Sequence, residues 1–195
     1  MKIKICGLSR REDVAYVNQT RPDWCGFVID CPKSRRNVSG EQAAALRAEL
    51  APGIVPVGVF VDRPVDQVAG LLLDGTIAVA QLHGGEDEGY LAALRDAAPG
   101  CVLWRAFRVR SREDLVSAAA SSADLVVLDN GAGTGQVFDW SLLKGFPRPY
   151  LLAGGLTPDN LPQAAALGPF GVDLSSGVET DGKKDEAKIL AAVAA

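Results

Sequence analysis

The sequence predicts a (β/α)8 barrel, and three observations lead there. Short apolar runs alternate with helix-like segments along 195 residues, eight times at roughly 24 residues per unit, which is the alternation of parallel β/α architecture and the number at which such a sheet closes. The third run, Val55 to Val61, is almost unbroken in its apolarity, as parallel strands buried on both faces are. The last two runs, Tyr150-Leu-Leu-Ala and Phe170-Gly-Val-Asp-Leu, each end in a loop of small residues, Gly154-Gly155-Leu and Ser175-Ser176-Gly177. In barrels of this class a phosphate site commonly forms in the loops after strands 7 and 8. An open doubly wound sheet is the alternative, but it usually carries its phosphate glycines after the first strand, where this chain has only Cys6-Gly7.

The elements follow in order. Ile3 to Cys6 reads as strand 1 and Arg11 to Asn18 as its helix, with Ser9 as candidate cap. Trp24 to Ile29 is strand 2. A basic loop, Asp30-Cys-Pro-Lys-Ser-Arg-Arg-Asn-Val, leads to Ser39, which with Gln42 forms a capping box opening helix 2. Strand 3 is followed by a helix begun by Pro64 and reaching Leu73, then strand 4 from Ile77 to Leu82 and a helix from Glu86 to Ala98, stopped by Pro99-Gly100. Val102 to Phe107, Ser111 to Ala120 and Leu125 to Leu128 supply strand 5, helix 5 and strand 6. The sixth helix, near Trp140 to Leu143, is stunted, with Asp139 as its cap; Lys184 to Val193 is the closing helix. No linker or low-complexity segment divides the chain, so residues 1–195 are expected to form a single domain.

Composition excludes several classes of function. The formal net charge is -4 with no long run of either sign, so neither a nucleic-acid track nor a membrane-surface patch is expected. No stretch approaches the roughly 20 apolar residues of a membrane span, and the start Met-Lys-Ile-Lys-Ile-Cys-Gly lacks a signal-peptide core, which points to the cytoplasm. The four cysteines, at 6, 25, 31 and 101, show no CxxC pairing and suggest neither a zinc site nor a disulfide framework. His83 is the only histidine, and a lone histidine makes no metal site. Monomer and homodimer are both compatible with the sequence.

Polar residues at the C-terminal ends of barrel strands are the candidates for chemistry. Cys6 ends strand 1, and period-2 alternation puts Lys4 on the same face, where an ammonium near the thiol is expected to favour the thiolate and make Cys6 a base or nucleophile. Asp129 leaves the apolar run Leu-Val-Val-Leu, a partly desolvated setting that favours the protonated carboxyl a general acid needs. Gln81 and His83 are expected to line the pocket, and Asp173 lies on strand 8. One of Lys33, Arg35 and Arg36 can grasp a substrate carboxylate. Gly154, Gly155 and Gly177 leave backbone N–H groups bare, and Ser175 and Ser176 add hydroxyl donors, so the two loops together are expected to grip a phosphate. Gly133-Thr134-Gly135 is the candidate for a lid or for backbone anion contacts.

These residues resemble the phosphoribosylanthranilate isomerase family of tryptophan biosynthesis. The matches are Lys4-Ile-Cys-Gly, Gly26-Phe-Val, Pro32-Lys-Ser-Arg-Arg, Val57-Gly-Val-Phe, Gln81-Leu-His-Gly, Leu128-Asp129, Gly133-Thr-Gly-Gln-Val-Phe-Asp-Trp, Ala153-Gly-Gly-Leu-Thr-Pro-Asp-Asn and Val172-Asp-Leu-Ser-Ser-Gly-Val-Glu. The resemblance implies a cofactor-free Amadori rearrangement of N-(5-phosphoribosyl)anthranilate, a phosphosugar, with no metal. It implies Cys6 as general base, Asp129 as general acid and Arg36 as the arginine for the anthranilate carboxylate. The phosphate falls on Gly154, Gly155, Ser175, Ser176 and Gly177, and Asp173 near the ribose hydroxyls.

Two positions depart from the family pattern. Ala132 replaces the first glycine of the usual Gly-Gly-Thr-Gly, in a shortened segment after Asp129, and Cys31 stands where an aromatic residue often precedes Pro-Lys-Ser. Two alternatives to the resemblance are the aminoaldose isomerase of histidine biosynthesis and a catalytically silent phosphosugar-binding barrel. The first uses an aspartate where Cys6 stands and needs a second phosphate cradle; the second predicts loss of the acid or the base.

Overall fold

The computed structural model describes residues 1–130 and 138–195. Gly133, Thr134 and Gly135, the expected lid, and Ala132 lie outside the described residues. Eight parallel strands form the barrel: β1 Lys2–Cys6, β2 Trp24–Ile29, β3 Val55–Phe60, β4 Val79–Leu82, β5 Val102–Arg108, β6 Leu125–Asp129, β7 Tyr150–Ala153 and β8 Gly171–Leu174. Each pairs with its neighbour in sequence, and β8 pairs with β1, so the sheet closes on itself.

The helices on the outside are α1 Arg11–Thr20, α2 Gly40–Ala48, α3 Val65–Leu73, α4 Glu88–Ala97, α5 Arg112–Ala120, α6 Leu161–Ala165 and α7 Glu186–Ala194. Between β6 and β7 the only helical piece among the described residues is a 3-10 turn, Trp140–Leu143, with the Asp139 carboxylate accepting from Ser141 N at 2.9 Å. Among the described residues no helix is long and apolar enough to cross a membrane.

Alternation along each strand divides the core in two. On β2, Cys25, Phe27 and Ile29 pack outward against the helices, while Trp24 joins Val57, Val79, Trp104, Val127 and Leu151 inside the barrel. Trp24 and Trp104 meet edge to face with ring centroids 5.2 Å apart, filling the interior so that the barrel is a packed core and not a pore.

Local chemistry explains where the elements begin. Ser39 and Gln42 form the expected reciprocal cap of α2, at 3.1 and 2.8 Å. The expected Ser9 cap of α1 does not form. Arg10 occupies that position, and since arginine has no acceptor to offer, the buried Asp13 carboxylate does the capping, accepting from Ser9 N at 2.9 Å and Arg10 N at 3.1 Å. The closing helix begins at Glu186, two residues later than its apolar pattern suggests, because Lys183–Lys184 is paired antiparallel with Glu179–Thr180 in a small hairpin. α6 escapes the sequence pattern because it is only five residues long.

The closing seam is tight. Lys4 stands opposite Asp173, and a Cβ added at Gly171 would lie 2.8 Å from both Lys2 O and Leu151 Cδ2. Gly171→Ala is therefore expected to lower the unfolding free energy by about 1–3 kcal/mol through overpacking, read as a lower urea midpoint at unchanged m. A midpoint equal to that of the parent protein would mean the seam admits a methyl group without strain.

Candidate active site

A cavity of about 210 Å³ opens at the C-terminal ends of the strands. Its wall gathers Cys6 from β1, Gln81 from β4 with His83 beyond it, Asp129 from β6, and Asp173 from β8. Gly154 and Gly155 join from the loop after β7, Ser175 and Ser176 from the loop after β8, and Arg36 from the loop after β2. Gly177 is not part of the wall. A Cβ there would overlap Leu156 O, so glycine is what lets the 175–178 turn pass the neighbouring loop.

The β1 side holds a buried chain of charge. Lys4 is fully buried and its ammonium donates to Asp173 Oδ2 at 2.8 Å. Cys6 pairs in register with Gly26, where a Cβ would come within 2.7 Å of the Cys6 sulfur and 3.1 Å of Lys4 Nζ; the missing side chain on β2 makes room for both groups. Burial opposes the Lys4 charge, but Asp173 and Cys6 outweigh it and hold the ammonium above the ordinary lysine pKa. Burial also pushes the Cys6 thiol above its ordinary value, against the pull of Lys4 and Lys184. The Lys4 ammonium thus favours the thiolate, in the direction that strand alternation suggests, but desolvation outweighs its pull and leaves the thiol raised.

The opposite wall is built from β4, β6 and β7. Gln81 Nε2 lies 3.3 Å from His83 Nδ1, and His83 Nε2 lies 3.4 Å from Asp129 Oδ2. Gly154, at φ 86°, approaches this carboxylate so closely that a Cβ would stand 2.5 Å from Asp129 Oδ1; Gly155 follows at φ 69°. Both are backbone conformations that glycine adopts without cost. The loop is pinned by Asn160, whose side chain donates to Gly155 O and accepts from Thr157 N, each at 2.9 Å. Ser175 Oγ donates to Cys6 O at 3.1 Å, tying the loop after β8 to the end of β1. Gln81 Oε1 and Asp173 Oδ1 are buried acceptors without a hydrogen-bond partner among the described residues. Within those residues no cluster of three or more His, Cys, Asp or Glu side chains suited to a metal ion occurs.

The family model for N-(5'-phosphoribosyl)anthranilate (PRA) isomerase matches residues 3–195. The chain belongs to this family. The phosphoribosylanthranilate isomerase of Endomicrobium trichonymphae is 45% identical over 198 residues, covering 98% of this chain and 96% of its own. A solved structure of monomers generated from the dimeric isomerase of Thermotoga maritima superposes with a TM-score of 0.86 at 32% identity, covering 99% of this chain and 96% of that one. A second isomerase structure, in complex with reduced 1-(o-carboxyphenylamino)-1-deoxyribulose 5-phosphate, has a TM-score of 0.86 at 31% identity, with 99% and 96% covered.

Several residues of this isomerase-family pocket escape a motif reading. Asn130, Val28, Val59 and Leu156 line the cavity, and Glu179, at the end of the Val172 to Glu179 motif, binds Arg36 in a way the motif itself does not reveal. The alternation of β2 and β3 already places Val28 and Val59 inward, and Gly26 opposite Cys6 carries a signal once register is known.

The balance at Cys6 is testable by alkylation rate against pH in a background with Cys31 and Cys101, both partly exposed, replaced by serine. Lys4→Met is expected to raise the apparent Cys6 pKa further, since the opposing positive charge is gone. An unchanged or lower value would remove Lys4 from the account.

Proposed function

We propose that this chain catalyses the Amadori rearrangement of N-(5-phosphoribosyl)anthranilate to 1-(2-carboxyphenylamino)-1-deoxyribulose 5-phosphate, the isomerase step of tryptophan biosynthesis, in the cytoplasm. The observation that carries this reading is the meeting, in one 210 Å³ cavity, of a thiol and a carboxyl group from different strands with two small-residue loops and an arginine. The related isomerase solved with a reduced carboxyphenylamino-deoxyribulose phosphate supports the same class of ligand. Its phosphate suits the loops of Gly154, Gly155, Ser175 and Ser176, small residues that line the cavity, with Gly177 shaping the turn. Asp173 Oδ1 and Gln81 Oε1, buried acceptors on the wall, suit the sugar hydroxyls, and His83 lies between Gln81 and Asp129.

Asp129 acts as the general acid. It protonates the furanose ring oxygen; the bond from that oxygen to C1 breaks, and the anthranilate nitrogen supplies its lone pair to form an iminium. Cys6, as the thiolate, takes the C2 proton, and the electrons of that C–H bond become the C1–C2 double bond as the iminium is neutralised. Protonation at C1 and loss of the C2 hydroxyl proton give the ketone, while Asp129 recovers a proton and Cys6 loses one. The nitrogen already in the substrate is the electron sink. A homodimer is the oligomeric state favoured by likeness to the dimeric Thermotoga maritima isomerase.

The loss of anthranilate-type fluorescence from freshly prepared phosphoribosylanthranilate tests this. Turnover is expected in the parent protein and a fall of at least about 100-fold in both Cys6→Ser and Asp129→Asn; no turnover in the parent protein would refute the reading. The reactive form carries one proton on Asp129 and none on Cys6. That single shared proton is lost only above the raised thiol pKa, so kcat/KM should hold through neutrality and decline only above the ordinary thiol range. An alkaline limb near neutrality would contradict the buried thiol.

A further inference from the structure

The proposed mechanism makes no use of the most heavily coordinated carboxylate near the cavity. Glu179 is 8% exposed and receives three cations: Arg36 through Nε at 2.6 Å and Nη2 at 2.9 Å, Arg35 through Nη2 at 2.7 Å, and Lys184 through Nζ at 2.7 Å. Those contacts hold its carboxyl well below the usual range, at about 2, despite burial, which acts the other way. One negative charge among three positive ones leaves the group positive, in a cluster that includes Arg36 on the cavity wall.

The chain constructs this cluster deliberately. Glu179 and Lys184 are cross-strand partners in the hairpin after β8, and the two residues at its tip, Asp181 and Gly182, have φ of 51° and 76°. Positive φ at both tip positions is the signature of a type I′ turn, for which Asp-Gly is a preferred pair. The turn places the carboxylate and the ammonium side by side. Lys188 Nζ donates to Glu179 O at 2.7 Å, Lys184 Nζ to Ser175 O at 3.0 Å, and Arg10 Nη2 to Lys184 O at 3.3 Å, so the hairpin is anchored to α7, to the loop after β8 and to the start of α1.

The consequence falls on Arg36. Its side-on edge, Nε with Nη2, is taken by Glu179, and no hydrogen bond from Nη1 is present among the described residues. A guanidinium held by one edge still has its end-on pair, Nη1 with Nη2, for a second carboxylate. Gly7, at φ 83°, completes the clamp: a Cβ there would overlap Arg36 Cδ, so the arginine stem lies against bare backbone.

Resting on the isomerase reading above, we infer that Glu179 is a positioning residue that, from its hairpin, fixes Arg36 so that its end-on edge receives the carboxylate on the substrate's aromatic ring. It thereby makes that carboxylate a requirement for tight binding. A mere structural ion pair would serve every substrate equally, whereas this clamp serves only one that carries the carboxylate.

The experiment crosses enzyme and substrate. Parent protein and Glu179→Gln are assayed with freshly prepared phosphoribosylanthranilate and with N-(5-phosphoribosyl)aniline, which lacks the carboxylate. Glu179→Gln is expected to raise KM for the first at least about tenfold with kcat within about threefold, the pattern of lost ground-state binding. For the aniline compound its KM should stay within about twofold of the parent protein's. Glu179→Asp, which keeps the charge but is one methylene too short to span both contacts, should show the same carboxylate-dependent loss in smaller degree, and it stands in if the glutamine variant does not fold. Equal losses on both substrates, or no loss on either, in whichever variant folds, would overturn the inference while leaving the isomerase reading intact. A parent protein inactive on both substrates would overturn the two together.

Discussion

A buried ion pair sits where the barrel closes, and the site depends on it. Lys4 on β1 and Asp173 on β8 are register partners, 2.8 Å apart through Nζ and Oδ2, with the lysine wholly out of solvent. Removing one partner of such a pair leaves the other charged and desolvated, at a cost of about 3–5 kcal/mol. The pair therefore locks the seam in a single register. Because the register is fixed, Cys6 emerges at the top of β1 facing Gly26, and Asp173 joins it on the cavity wall.

A second layer of charge, around Glu179, lies beside the cavity and, in the proposed reaction, serves the ligand. The inner pair is neutral and places the thiol. The outer cluster is net positive and includes Arg36, so the elements proposed to bind anions come from the loop after β2 and from the small-residue loops after β7 and β8. In the proposed reaction these two anchors hold the ends of an extended substrate, leaving Asp129 to act on the ring oxygen and Cys6 on C2 between them.

Much of this was legible in the sequence because barrel strands carry strong, short-range signals. The apolar runs, the Ser39–Gln42 box and the paired Gly/Ser loops each specify their own local structure, and all eight strands are where those runs fall. What escaped depends on contacts distant in sequence. Glu179 meets Arg36 across 143 residues, and nothing near either reveals the other, although Asp181-Gly182 between short polar runs is a hairpin signal in its own right. The net balance at Cys6 is not legible in the sequence for a related reason. Strand alternation places Lys4 beside the thiol, but the extent of desolvation that outweighs it is a property of the packed barrel. At α1 the cap went to Asp13 and not to Ser9, since a carboxylate one turn inside the helix reached both N–H groups at once.

The most direct test of the account is a crystal structure of this protein with reduced 1-(o-carboxyphenylamino)-1-deoxyribulose 5-phosphate. The account predicts the phosphate against the loops of Gly154, Gly155, Ser175 and Ser176, the aromatic carboxylate at Arg36, and the carbon corresponding to C2 within about 3–4 Å of Cys6 Sγ, as proton transfer requires. A phosphate seated elsewhere, or that carbon out of reach of the sulfur, would contradict it.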